Sequence, residues 1–387
     1  MNKSLLFVVF ILLSLMDYSN VNIVLATLLL ALASLSSFRT TSSKVTFLAL
    51  SLIFLCAELV RYLYNSVHSP WFGLASESGI FGLTASILIG CAFSFLFYSN
   101  ISSNVNFKKN SASALNFALF FNILLFYSQF FLVYGFDIYI DYYKFFMGQE
   151  SRYLNYFSSS PFKYRCTGLY VEPSTYAGIM AVLLVLYLNI SQTRARKGIV
   201  FLVIFSIFIT FSNAAIIFGV LLVLGVFFYF TNGLYFFHAS IFLLTCVGGL
   251  VFVYVGDLFN ISSSLDYIIS IRLGFFEYLL GRDDWNLYFG TGLFSIEQDL
   301  WMLSSGEGSD RVVSLNDLGI IGVVFTRFGF LGLLPLAFSY SLLPNKKANT
   351  FNFIAVLATK MTIFFPIFIL VYISFYIRKG RYEIEED

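Results

Sequence analysis

Long apolar runs separated by short polar stretches fill this chain from end to end. A helix that crosses a bilayer needs about 17–25 mostly apolar residues, fewer where it is short or kinked. Runs of this kind lie near 4–17, 21–37, 45–63, 79–98, 112–134, 174–190, 199–211, 214–230, 236–255 and 318–343. The first, over 4–16, has the look of a signal peptide. It lacks a small-x-small cleavage site and another span follows at once, so it reads as the first membrane helix. Runs 199–211 and 214–230 are too close for a proper loop and predict a hairpin of two short helices. The pattern predicts an all-α polytopic membrane protein, a single integral membrane domain over 1–387 with about 11–12 transmembrane helices.

The polar connections set the orientation. Arg39 with Lys44, Lys108 with Lys109, Arg194 with Arg196 and Lys197, and Lys346 with Lys347 fall in four connections without acids, all on one side. The positive-inside rule makes that side cytoplasmic. Two long loops, about 135–173 and about 256–317, then lie outside. A single last span over 351–377 would place Arg378, Lys379 and Arg381 outside as well. Two short segments turning near Lys360, with Pro366 loosening the second, return the tail inside, so both termini are expected to be cytoplasmic.

Composition agrees with this pattern. The chain is 59% hydrophobic and 11% charged, with mean hydropathy +0.83, whereas soluble domains are about 25% charged. The net charge of +2 comes without a basic stripe, which argues against nucleic acid as a partner. Cys56, Cys91, Cys166 and Cys246 show no CxxC spacing, so neither a metal site nor a disulfide framework is expected. Phe and Tyr, 49 and 25 residues, suit lipid-facing bulk and interfacial anchoring. Tyr139, Tyr142 and Tyr143 have stacking on sugar rings as a second reading.

Acidic residues concentrate in the second long loop. Asp257, Asp266, Glu277, Asp283, Asp284, Glu297, Asp299, Glu307, Asp310 and Asp317 are among the chain's 21 Asp and Glu. Most read as the solvated cover of a lid, and Asp283-Asp284 as a solvated turn. Leu265, Ile268, Ile269, Ile271, Leu273, Phe276, Leu279 and Leu280 recur at helical spacing and predict an interfacial amphipathic helix near 265–280, with Arg272 at its edge. Asp317 leads the chain back into the membrane. Arg327 follows inside that span, where an arginine is costly and seeks a polar partner; the glycines beside it allow close helix packing.

The first long loop ends in Tyr164-Arg165-Cys166-Thr167-Gly168-Leu169-Tyr170-Val171-Glu172-Pro173-Ser174-Thr175-Tyr176-Ala177-Gly178. Pro173 suits a first helical turn, where its missing N–H costs nothing. Helix N–H groups at that end face an anion favourably, Gly168 permits a tight turn, and Arg165 can fold back over the spot. An ordinary interfacial arginine beside a Pro-started helix is the plainer alternative. His68, in a short outer loop, and His238 accompany neither loop's cluster, so a histidine triad or histidine metal site is not expected. Asp-x-Asp and GxxxxGK[ST] do not occur.

These stretches, in this order, resemble the O-antigen polymerases of the Wzy type. "RCTGLYVEPSTYAG" is similar to the family's Arg-x-x-Gly-x-x-x-Glu-Pro-Ser segment. "IISIRLGFFEYL" with "LYFGTGLFSIE" resembles its arginine helix and Gly-x-Gly turn, and "SLNDLGIIGVVFTRFGFLG" its Asp-x-Gly entry to the next span. Departures exist: Arg165 has Tyr176 where the Arg-x10-Gly motif of some members has glycine, and after Arg282 the glycine, Gly292, comes one residue early. Related O-antigen ligases carry a histidine in the second large loop, and 256–317 holds none.

The resemblance implies an inner-membrane glycosyltransferase with two large periplasmic loops, joining undecaprenyl-diphosphate-linked oligosaccharide repeats into O-antigen polysaccharide. It implies no cofactor and no metal. Membrane lipid and a polysaccharide chain-length regulator are the other expected partners. The diphosphate would be bound by Arg165, Arg272, Gly168 and Ser174; Glu172 would act as catalytic base, with Asp317 as second candidate or as the group orienting Arg272. An O-antigen ligase or other lipid-linked glycosyltransferase is the alternative, followed by a lipid-linked oligosaccharide flippase. A flippase fits less well because transporters show internal repeats and broken midplane helices.

Overall fold

The computed structural model describes residues 3–15, 20–34, 42–68, 72–74, 77–153, 164–191, 195–230, 277–297, 319–344, 346–360 and 365–377. They form helices α1 (Lys3–Ser14), α2 (Asn20–Ser34), α3 (Ser42–His68), α4 (Glu77–Ser103), α5 (Val105–Phe136), α6 (Tyr142–Met147), α7 (Pro173–Ser191), α8 (Lys197–Phe208) and α9 (Asn213–Tyr229). After these come α10 (Asp284–Phe289), α11 (Gly319–Ser341), α12 (Lys346–Ala358) and α13 (Pro366–Ser374). The described residues are mostly helical, as expected, with one short ladder beside the helices. Strand β1 (Phe72–Leu74) pairs antiparallel with β2 (Ser295–Glu297), Gly73 opposite Ile296. His68 does not lie in a loop but ends α3. The span expected near 236–255 and most of the interfacial helix near 265–280 lie outside the described residues.

Among the described residues four helices are long and apolar enough to cross a membrane: Thr84–Ser103, Val105–Phe136, Pro173–Ser191 and Gly319–Ser341. Local signals bound them. Asn104 caps α5 by accepting from Phe107 N at 3.1 Å, and Asp137 closes it in the left-handed conformation. The distribution of polarity on α5 is the reverse of a water-soluble helix. Ser111, Asn116, Asn122 and Gln129 are buried, while Phe117, Phe120, Leu124 and Phe131 are exposed. Polar groups turned inward and apolar groups outward are what a hydrocarbon solvent selects.

Helix α7 is the axis of the bundle. At 19 residues it is about 28 Å long, close to the hydrocarbon thickness. Almost all its side chains are buried, which explains why it is apolar on every face. Two hairpins pack along it. Arg196 N donates to the Tyr187 hydroxyl near the end of α7, and Tyr176 near its start donates to Ser206 on α8. Helix α9 then returns, and the Tyr229 hydroxyl donates to Leu188 O. Residues 197–229 therefore form the expected hairpin.

The second hairpin is α12 and α13. Phe351 stacks on Phe228 at the end of α9, and Thr359 lies against Gly178 near the start of α7. Pro366 opens α13, and Ser374 accepts from Asn189 near the end of α7. The chain therefore turns between 359 and 365 and runs back, as the two-segment reading of 351–377 required. Gly225 makes this packing possible: a Cβ there would sit 2.1 Å from Asn352 Oδ1 on α12.

Helix α11 is not continuous. Gly329 has φ 59° and ψ −155°, a conformation essentially reserved for glycine. Residues 319–328 and 330–341 are two helical pieces with a break between them.

Candidate functional site

The sequence-predicted site begins where the first long loop meets α7. Its two limbs are zipped together by backbone hydrogen bonds, Arg152 N to Val171 O and Arg165 N to Tyr153 O, each 2.6 Å. This pairing brings the Arg152 guanidinium to 4.0 Å from Glu172 Oε2. It also stacks Tyr153 on Tyr139, with ring centroids 3.9 Å apart, and sets Tyr164 alongside both. Tyr139 meets the Ser151 hydroxyl at 2.9 Å, and burial pushes its phenol above the usual range. Tyr143 is buried and Tyr142 bonds the Ser128 hydroxyl. Of the three tyrosines with a sugar-stacking reading, only Tyr139 belongs to this aromatic group.

Gln129, fully buried on α5, fixes the turn that precedes α7. Its Oε1 accepts from both Thr167 N at 2.9 Å and Gly168 N at 3.0 Å, and its Nε2 donates to Ile140 O at 2.7 Å. Gly168 turns here with φ 58°, and a Cβ would approach the Tyr176 ring to 3.2 Å, so glycine serves both conformation and space. Tyr170 seals the turn by donating to Asn122 at 2.9 Å. Cys166 is buried beneath it, and burial pushes its thiol up to about 12.

Pro173 opens α7, and the Glu172 carbonyl receives Thr175 N and Tyr176 N at 3.1 Å each. Glu172 is partly exposed and Ser174 is buried. Arg165, Gly168, Glu172 and Ser174 thus share one ordered junction, with Arg152 as a basic residue that sequence reasoning missed. Arg272 and Asp317 lie outside the described residues. Gly319, where α11 begins, packs against Leu357 and Ala358, in the same turn whose Thr359 touches Gly178 of α7. The N-terminal parts of α7 and α11 therefore meet through one hairpin tip.

A second polar cluster surrounds the break in α11. Glu58, Arg61 and Asn65 form one stripe on α3, at the i, i+3, i+7 spacing of a helix face. Glu58 Oε2 accepts from Leu293 N at 2.7 Å. Arg61 donates to Phe289 O and Gly290 O, and Asn65 to Thr291 O. From α11, Arg327 donates to Leu293 O at 2.7 Å and Ser295 O at 3.0 Å. The carbonyls of Thr326 and Arg327, released by the break, accept from Thr291 N and Gly292 N. Arg282 grips Glu297 through Nε and Nη2 and reaches Thr326 O with Nη1. Burial pushes the Glu297 carboxyl up against the pull of Arg282.

This second cluster ties down backbone. The Arg282 side chain is 3% exposed and each of its three nitrogens donates within the protein, so it is closed to an external anion. Asp283 and Asp284 are exposed as expected, but Asp283 stands at the N-cap of α10 and Asp284 begins it, so they do not form a turn. Among the described residues no group of three or more His, Cys, Asp or Glu is placed to hold a metal ion. Comparison of the chain with known protein families, with characterised proteins and with solved structures finds no match.

Proposed function

We propose that this chain is a Wzy-type O-antigen polymerase of the bacterial inner membrane. It has about 11–12 spans, cytoplasmic termini, and periplasmic loops near 135–173 and 256–317. The observation that carries the reading is the junction at the start of α7. An arginine-bearing loop, a glycine turn and Glu172 are held there at the N-terminal end of a central apolar helix. The ordered motif set supports the same reading. So does the gathering of Lys108, Lys109, Arg196, Lys197 and Lys346 at the opposite end of the bundle, since basic residues favour the cytoplasmic side.

In this reading the acceptor sugar hydroxyl attacks the anomeric carbon of the lipid-linked chain. Its oxygen forms the new glycosidic bond, and the carbon–oxygen bond to the diphosphate breaks. Undecaprenyl diphosphate leaves with the electron pair. Arg165 and Arg272 meet the developing charge, because a guanidinium grips phosphate oxygens in pairs. Gly168 and Ser174 bring backbone and helix end close to the diphosphate. Glu172 takes the hydroxyl proton; Asp317 is the second candidate base. No cofactor or metal is required, and a chain-length regulator is the expected protein partner.

Arg165→Ala and Arg272→Ala are each expected to abolish the polymer ladder in a complemented deletion strain, with the protein still in the membrane fraction. A normal ladder from either variant removes that arginine from the mechanism. Synthesis in isolated membranes is expected to survive EDTA; its loss would contradict the metal-independent step.

A further inference from the structure

We infer that residues 282–297 are a re-entrant membrane element. They complete the broken helix α11 and turn an aromatic face to outer-leaflet lipid, rather than forming part of a water-filled loop.

The hydrogen bonding of the turn points to a dry setting. The N–H groups of four successive residues all have protein partners: Gly290 on Asn286 O, Thr291 on Thr326 O, Gly292 on Arg327 O and Leu293 on Glu58. The carbonyls of Phe289, Gly290, Thr291, Leu293 and Ser295 are taken by Arg61, Asn65 and Arg327. A hydrated loop leaves such groups to water. Non-helical backbone at membrane depth must satisfy them internally. Two of the donors, Thr291 and Gly292, use carbonyls that the break at Gly329 removes from the α11 ladder. Helix and turn therefore mend each other's unmet groups.

The packing is backbone on backbone. A Cβ on Gly290 would lie 2.4 Å from Arg327 C, and one on Gly329 would lie 2.5 Å from Leu287 O. Leu293 and Phe294 then plug an apolar site formed by Leu55, Leu59 and Tyr62 of α3, Ile87 of α4 and Phe328 of α11. Arg327 is buried and Glu58 is 8% exposed, so these two side chains that hold the turn are themselves largely out of water.

The opposite face of the element is apolar and open. Trp285, Tyr288 and Phe289 on α10 are exposed, with Trp285 stacked on Phe289. Tyr288 contacts Phe330, centroids 6.1 Å apart. From Phe330 the exposed strip continues down α11 through Leu334 and Phe338. That strip belongs to a helix long and apolar enough to cross a membrane. The aromatic face of α10 extends a lipid-facing surface, and Trp and Tyr are the residues favoured where hydrocarbon meets headgroups. Asp283 and Asp284, at the start of α10, are exposed and mark its wet edge.

The test uses the full chain with Trp71→Phe and Trp301→Phe, which leaves Trp285 as sole tryptophan of the three. The protein is reconstituted in phosphatidylethanolamine–phosphatidylglycerol vesicles containing brominated phosphatidylcholine. Brominated lipid is expected to remove most of the Trp285 emission and aqueous iodide little of it. Strong iodide quenching with no effect of brominated lipid overturns the inference. In the same background, Glu58→Ala removes the acceptor of Leu293 N, whereas Glu58→Gln keeps one. Glu58→Ala is expected to make Trp285 iodide-accessible and Glu58→Gln to behave like the parent. Unchanged quenching in Glu58→Ala overturns the role given to the α3 clamp. These readouts need no polymer synthesis, so they stand or fall apart from the proposed enzymatic function.

Discussion

Replacing Gln129 by leucine is a sharp perturbation of the α7 junction, because it changes none of the side chains assigned to chemistry and acts only through the backbone N–H groups of the turn. The Gln129 Oε1 accepts from two buried N–H groups, Thr167 and Gly168. Leucine is similar in bulk and offers no acceptor. Two stranded buried donors cost about 1–3 kcal/mol each, so the turn loses about 2–6 kcal/mol of support. The lost bond to Ile140 O adds less, since Ile140 is exposed and its carbonyl can turn to water. That range is a large part of the margin by which a single loop conformation is held. The assay pairs the polymer ladder in a complemented deletion strain with thermal unfolding of the purified protein in detergent. Gln129→Leu is expected to lose the ladder and to melt several degrees lower. Gln129→Glu keeps an acceptor for both N–H groups and is expected to retain part of the ladder. A wild-type ladder from Gln129→Leu would refute the claim that this turn positions the site.

Further expectations follow from the same geometry. Glu172→Gln is expected to abolish the ladder while shifting the melting temperature little, because its pairing with Arg152 is solvent-accessible and such pairs contribute about 0.2–1 kcal/mol; a retained ladder would remove Glu172 as the base. Arg327→Ala removes the guanidinium donor from Leu293 O and from Ser295 O, which keeps only the Thr291 hydroxyl, and charge-assisted hydrogen bonds of this kind contribute about 1.5–3 kcal/mol each. The variant is expected to accumulate poorly or melt well below wild type, and equal yield and melting would contradict the clamp. With Cys56, Cys91 and Cys246 replaced by serine, Cys166 is expected to resist maleimide in the folded protein at pH 8. Its thiol is pushed up to about 12, so only about one in ten thousand is ionised at that pH. Rapid labelling would mean that the junction opens.

Much of the helical architecture was legible because each signal is local. Pro173 marks the first residue of a helix, and the short link between 199–211 and 214–230 could only be a tight turn; Pro366, expected to loosen the last segment, instead opens it. The charge conflict at 351–377 pointed to a hairpin with no sequence break stronger than Lys360 and Pro366. Gly168 was legible as a turn for the same reason. The break at Gly329 was not, since a glycine in Arg327-Phe328-Gly329-Phe330 reads equally as close helix packing; the conformation goes with a turn whose bonds to α11 reach across 32 to 44 positions of the chain. Glu58 and Arg61 passed as part of an ordinary span because two charges barely lower the hydropathy of α3. Their partners, Leu293 and Gly290, are 235 and 229 positions away, and no periodicity records such a pairing. A glutamate and an arginine three apart inside an apolar run were the available signal. Arg282 was named only as a departure from the family motif, and its contacts were equally hidden. Its spacing to Gly292 departs by one residue from that motif, and its guanidinium is spent on Glu297 and Thr326 O.

The most direct test of the proposed function is the fate of lipid-linked repeats in cells that lack this chain. If it is a polymerase, single repeat units on undecaprenyl diphosphate accumulate on the outer face of the inner membrane, the polymer ladder disappears, and the wild-type gene restores it. Repeats trapped on the cytoplasmic face, or long polymer left attached to the lipid carrier, would contradict that reading and assign the chain to transport or ligation instead.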